Sequence, residues 1–152
     1  MSSRGIFRSL VEKHSTFLGL LREHAVTSTS TSGVTLRKDG EGFAELVLEN
    51  PSQRNAMTAS MMLDLAEHVD HLTLEDDQLV GLCIRSKIGP EGKPIFCSGL
   101  DLNLAQRVIN SGERGQMMYL FMTDALDRIR KAPFISATVV GGAAIGGGLE
   151  LT

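Results

Sequence analysis

Residues 134–151 read Phe134-Ile135-Ser136-Ala137-Thr138-Val139-Val140-Gly141-Gly142-Ala143-Ala144-Ile145-Gly146-Gly147-Gly148-Leu149-Glu150-Leu151. Phe134 to Val140 is an apolar, β-branched run that suits a strand. Gly141 to Gly148 is a glycine-rich loop, and Leu149-Glu150 has the look of a new helix start. Immediately upstream, Glu113 to Lys131 has helical spacing, with Met117, Met118, Leu120, Phe121, Leu126 and Ile129 expected inward. Pro133 ends that helix, because proline has no N–H to continue the ladder.

The same alternation continues toward the N-terminus. Ser98-Gly99-Leu100-Asp101 turns into a short helix through Val108, after a short strand at Ile95 to Cys97. Leu79 to Arg85 is a further strand, followed by a loop from Lys87 to Lys93. Thr58 suits the N-cap of a helix with Met61, Met62, Leu65, Val69 and Leu72 on one face. Glu49 to Asn55 is a turn-rich break after a strand at Phe43 to Leu48. Strands alternating with helices at these spacings predict an α/β fold with a largely parallel sheet. Regular patterning begins near Val34, so residues 34–152 are expected to form the domain and residues 1–33 a leader or tail ending in a Ser/Thr linker. An amphipathic start with Arg4, Arg8 and Arg22 and no acid before Glu12 is similar to a mitochondrial presequence. A frayed helical tail is the alternative.

Composition narrows the function. The 152 residues carry a net charge of −3, which disfavours a dominant nucleic-acid role. Phe134 to Leu149 is the longest apolar stretch, and five glycines, Ser136 and Thr138 break it, so no membrane span is expected. Cys83 and Cys97 form no CxxC pair and read as small buried hydrophobes, which favours a reducing compartment, cytosol or mitochondrial matrix. His68 and His71 stand beside Asp64 on one helix, but two outward histidines read as solvated surface, and no metal is expected.

Two strand-end loops carry the chemistry. In the first, Gly99 permits a tight turn and Asp101 can cap the helix that follows. The Ser98 main-chain N–H, rather than its hydroxyl, is expected to matter. In the second, three consecutive glycines expose amides that can stabilise an anion, and Glu150 lies close enough to exchange a proton beside it. Close packing of a glycine-rich helix entry explains the same loop equally well. No Gly-Lys-Ser/Thr follows, no third glycine completes a dinucleotide fingerprint, and no Gly-x-Ser-x-Gly elbow is present.

Taken together, Asn50-Pro51, Asn55-Ala56-Met57, Phe96 to Leu102 and Gly142 to Leu151 resemble the crotonase (enoyl-CoA hydratase/isomerase) superfamily over residues 36–152. The resemblance implies a ββα spiral, incomplete at the C-terminus of this chain, that assembles as a homotrimer or dimer of trimers. It implies an acyl-CoA thioester substrate, with CoA entering as part of the substrate and no separate cofactor. It places the two oxyanion-hole N–H donors on Ser98 and Gly147, a catalytic acid at Glu150, and substrate contacts at Gly99, Leu100, Asp101 and the Asn55-Ala56-Met57 segment. A glutamate in an apolar pocket would hold its proton more tightly. The Phe-Cys-Ser-Gly-Leu-Asp-Leu-Asn wording is similar to the ethylmalonyl-CoA decarboxylase subgroup, which implies decarboxylation of a short branched malonyl thioester. An enoyl-CoA hydratase or isomerase and a non-catalytic CoA-binding subunit are the alternatives. The resemblance also implies a second acid beyond Thr152, and hence that this chain is a fragment not competent alone.

Overall fold

The computed structural model describes residues 17–23, 25, 32–89 and 94–152. The presequence reading rests mainly on residues 1–16, which lie outside the described residues, as do His14, His24 and residues 90–93. Residues 17–23 are helical, and Phe17 and Leu21 are buried in the core. Phe17 meets Phe121 edge-to-face at 5.9 Å between ring centroids. This part of the expected leader therefore packs on the domain.

The strands are β1 (Gly33–Lys38), β2 (Phe43–Glu49), β3 (Gly81–Ser86), β4 (Ile95–Cys97), β5 (Ile135–Thr138) and β6 (Ala143–Ala144). The α-helices are α1 (Ala59–Asp70), α2 (Leu102–Ile109), α3 (Gly112–Lys131) and α4 (Gly147–Glu150). One sheet has the order β1-β2-β3-β5, and β4 pairs with β6 in a second. Pairing is parallel for β2–β3, β3–β5 and β4–β6, as the alternation predicts. The departure is β1, an antiparallel edge strand hydrogen-bonded to β2. Its six residues Gly-Val-Thr-Leu-Arg-Lys alternate weakly, so no separate strand is legible there.

The core forms where α1 covers the sheet. Met61, Met62, Leu65 and Val69 are all buried, and they pack in one cluster with Leu46, Leu48, Leu82 and Ile84 of β2 and β3. Thr58 caps the helix by accepting from the Met61 N–H. Leu72 is buried too, but on a π-helical turn, His71–Glu75, that extends α1. In α3 the buried stripe is Phe121, Ala125 and Ile129, spaced by four. Leu120, expected inward, sits one position off that stripe and is 44% exposed.

His68 and His71 are not a free solvated face. Asp64 Oδ2 accepts the Val34 N–H at 3.0 Å, and His68 Nε2 donates to the Val34 carbonyl at 2.8 Å. One helical turn of α1 thus satisfies both outward backbone groups of Val34 on the β1 edge. His71 meets Lys38 Nζ at 2.8 Å.

After β2 the chain makes a 3₁₀ turn, Pro51–Gln53, and enters left-handed backbone at Arg54 (φ 56°) and Asn55 (φ 53°). Asparagine tolerates that region better than most residues. Asn55 is 1% exposed. Its Oδ1 accepts from Asn50 N, and its Nδ2 donates to the carbonyls of Lys87 (2.9 Å) and Ile95 (3.1 Å). One side chain therefore ties the end of β2, the end of β3 and the start of β4. Replacing Asn55 with Ala takes the partner from the Asn50 N–H and the Lys87 carbonyl, at about 1–3 kcal/mol for each one left unsatisfied, while the Ile95 carbonyl keeps the Ser86 hydroxyl at 3.4 Å. Urea denaturation of Asn55→Ala should show a loss of at least about 2 kcal/mol, and an unchanged midpoint would refute this role.

Candidate active site

β4 and β6 lie side by side, so the loops that follow them emerge together. In the first loop, Gly99 has φ +92°, and a Cβ there would lie 2.9 Å from the Ile145 carbonyl oxygen. Only glycine fits both the turn and the approach of the second loop. Residues 54–57 run alongside. Ser98 N–H donates to the Arg54 carbonyl (3.1 Å), Met57 N–H to the Gly99 carbonyl (2.7 Å), and Asp101 N–H to the Met57 carbonyl (3.0 Å). This is a parallel bridge between Met57 and Leu100. In such a bridge the neighbours of Leu100 pair with Met57, while the Leu100 N–H faces away. It has no backbone acceptor among the described residues.

The second loop repeats the logic. Ile145 N–H donates to the Cys97 carbonyl, Gly148 N–H to Ile145, and Leu149 N–H to Gly146. Gly147 N–H is left without a backbone acceptor among the described residues. The glycines divide by role. At Gly148 a Cβ would lie 2.5 Å from the Cys97 carbonyl oxygen, so this glycine serves close packing. At Gly147 a Cβ would meet nothing within 4 Å, so this glycine borders open space. Packing and exposed amides are both present, on different residues.

Leu100 and Gly147 line one cavity of about 180 Å³, together with Met57, Met62, Met118, Tyr119, Met122 and Glu150. Met57 and Met62 are nearly fully buried and form its inner end. Gly147, Glu150 and Tyr119 are exposed and border its open end. A larger open depression of about 600 Å³ lies on the sheet, lined by Phe43, Val80 and Ile135 among others. It contains none of the strand-end loop residues, so the smaller cavity is the candidate site.

The expected residues therefore separate. Gly147, Glu150, Leu100 and Met57 are brought together at the cavity. Ser98 is not among its lining, and its amide is spent on Arg54, so the amide that this loop brings to the cavity is that of Leu100. Gly99 shapes the turn. Asp101 caps α2, with Oδ1 accepting from Asn103 and Leu104 N–H at 3.0 Å each. Asn55 is a structural tie, and Ala56 supplies a carbonyl to Asn50 Nδ2. Glu150 is exposed rather than enclosed by apolar walls. Met62, Met118, Tyr119 and Met122 were not singled out as site residues. The spacing of Met118 and Met122 by four was the available signal, since it puts both on one helix face. Burial pushes the Cys97 thiol up from its ordinary value, which suits a packing role. Among the described residues no three His, Cys, Asp or Glu side chains cluster to hold a metal, and no helix is long and apolar enough to cross a membrane.

Two loops that present open amides above a small apolar cavity at one end of a parallel strand pair define an α/β unit of the crotonase type. Comparison with known proteins agrees. The family described as Enoyl-CoA hydratase/isomerase matches residues 38–152, and the chain belongs to that family. It is 38% identical to the ethylmalonyl-CoA decarboxylase of Xenopus laevis over 118 residues, and 39% identical to that of Mus musculus over 120. These alignments cover 78% of this chain but only 37% and 35% of the relatives. Among solved structures, it is similar to an enoyl-CoA hydratase from Mycobacterium smegmatis (27% identity, TM-score 0.67, covering 78% of this chain and 43% of that one). An enoyl-CoA hydratase/carnithine racemase from Magnetospirillum magneticum is comparable (26%, TM-score 0.68, 80% and 43%).

If Asp101 acts as a cap, Asp101→Asn should keep the melting temperature, and Asp101→Ala should cost about 1 kcal/mol. Equal losses in both variants would mean that its charge, not its capping geometry, matters.

Proposed function

We propose that the protein acts on acyl-CoA thioesters, and that its reaction is decarboxylation of a short branched malonyl thioester such as ethylmalonyl-CoA or methylmalonyl-CoA. The observation that carries this reading is the pair of open amides, at Leu100 and Gly147, on one small cavity with Glu150. Decarboxylation breaks the bond between the α-carbon and the carboxylate. Its electron pair moves into the thioester to form an enolate, and carbon dioxide leaves. The enolate oxygen carries more charge than the starting carbonyl, so two fixed N–H donors lower the barrier more than they stabilise bound substrate. A proton then returns to the α-carbon, and Glu150 is the acid at hand. The thioester itself receives the electrons, so the reading calls for no metal or prosthetic group.

The names of the relatives support decarboxylation. Hydration of an enoyl thioester is the second reading, favoured by the names of the similar solved structures, since the same amides would serve its enolate. The proposal extends to a homotrimer or dimer of trimers, for which exposed Ile135, Val139, Ile145 and Leu149 supply apolar surface. It also extends to a cytosolic or mitochondrial-matrix setting, in keeping with two free cysteines.

The test is to incubate the full-length protein with ethylmalonyl-CoA and, separately, crotonyl-CoA, and to follow products by mass. Butyryl-CoA and carbon dioxide are expected from the first. Brisk hydration of crotonyl-CoA with ethylmalonyl-CoA left intact would select the hydratase reading. Binding of both without turnover would select a non-catalytic CoA-binding subunit.

A further inference from the structure

The long helix α3 is anchored unevenly. Its C-terminal half is held by buried Ala125 and Ile129 and by the Arg128 guanidinium, which pairs with Asp70 at the end of α1. Over residues 112–120 no described side chain is buried, so the first fixed point from the N-terminal end is Phe121. That fixed point adjoins the site. Met118 lies nearly one turn before it, Tyr119 two residues before it and Met122 next to it, and all three line the cavity with Gly147 and Glu150. Where Phe121 sits therefore decides where this wall stands.

Phe121 finds its ring partner far away in sequence. Phe17 meets it edge-to-face, an arrangement with a preferred geometry that aliphatic packing lacks. Phe17 and Leu21, four apart on the helical stretch 17–23, share one face and are 1% and 0% exposed, while Gly19, Arg22 and Glu23 are exposed. Leu18 and Leu20 are half-buried against the same core. This stretch precedes the region of regular sequence patterning, yet it supplies two of the most buried side chains of the domain. We infer that Phe17 is a positioning residue for the candidate site: through Phe121 it holds the N-terminal half of α3, and with it Met118, Tyr119 and Met122, beside the strand-end loops. The inference rests on the acyl-thioester reading above only for the ligand used in its test. It also limits processing, because a cut after residue 25 would remove the support of α3. Coupling of this kind is reciprocal. If Phe17 steadies the wall, a ligand seated at the wall steadies the helix of Phe17.

The test is amide hydrogen exchange of the full-length protein, wild type, Phe17→Ala and Phe17→Leu, with and without butyryl-CoA. In Phe17→Ala, exchange over residues 112–122 should quicken at least about ten-fold, the scale set by losing a buried aromatic ring, while β2 and β3 keep their wild-type rates. Phe17→Leu, which refills most of the volume, should restore most of that protection. Acceleration spread evenly over β2, β3 and α3, or none over 112–122, would overturn the role of Phe17. In the wild type, an arm that needs no variant to fold, butyryl-CoA should slow exchange over residues 18–23 by about five-fold or more. Protection at Leu100 and Gly147 without protection over 18–23 would overturn the coupling. If calorimetry shows that butyryl-CoA does not bind, the acyl-thioester reading falls, and the exchange pattern of the two variants still decides the inference.

Discussion

The site depends on one buried amide. Asn55 stands where three strand ends must meet, and its side chain is the only group that reaches Asn50, Lys87 and Ile95 at once among the described hydrogen bonds. A buried polar group with every partner in place fixes geometry, because any shift leaves a donor or acceptor unmet in a medium without water. Holding Ile95 sets β4, and β4 sets the loop from Ser98 to Asp101. Left-handed backbone at Arg54 and Asn55 then turns the chain so that Met57 runs beside that loop.

From this register follows the division of amides. Met57 uses both of its backbone groups on Gly99 and Asp101, and Arg54 takes the amide of Ser98. Leu100 is what the ladder leaves over. The second loop reaches the same state through its short turn, which satisfies Gly148 and Leu149 but not Gly147. Gly99 and Gly148 are required because the two loops approach to contact distance through backbone atoms. Two open amides on one cavity thus arise as what the backbone pairing of the two loops leaves over, and under the proposed function such pre-aimed donors would need no reorganisation when charge develops.

Much of this was legible in the sequence, and the failures share a cause. The face of α1 followed from Met61, Met62, Leu65 and Val69, because burial on a helix obeys a period the sequence displays. The stop at Pro133 and the caps at Thr58 and Asp101 are local chemistry, and they hold. β1 was missed because a short edge strand with one polar end has little period to show, and its outward groups are satisfied by Asp64 and His68, far away in sequence. Assigning the first open amide to Ser98 rather than Leu100 is the same kind of error. The composition of a turn reveals that amides are exposed, but which one stays free depends on the partner strand, here residues 54–57. Likewise, the apolar pocket expected around Glu150 came with the family resemblance, whereas its exposure is a property of the loop in space.

The central claim is that the Leu100 and Gly147 amides, and not that of Ser98, receive the thioester oxygen. Amide resonances of the ¹⁵N-labelled protein during titration with butyryl-CoA test it directly. The account predicts that the Leu100 and Gly147 amide protons move downfield together, saturating with one dissociation constant, while Ser98 stays in place. A shift at Ser98 with Leu100 unmoved would contradict it.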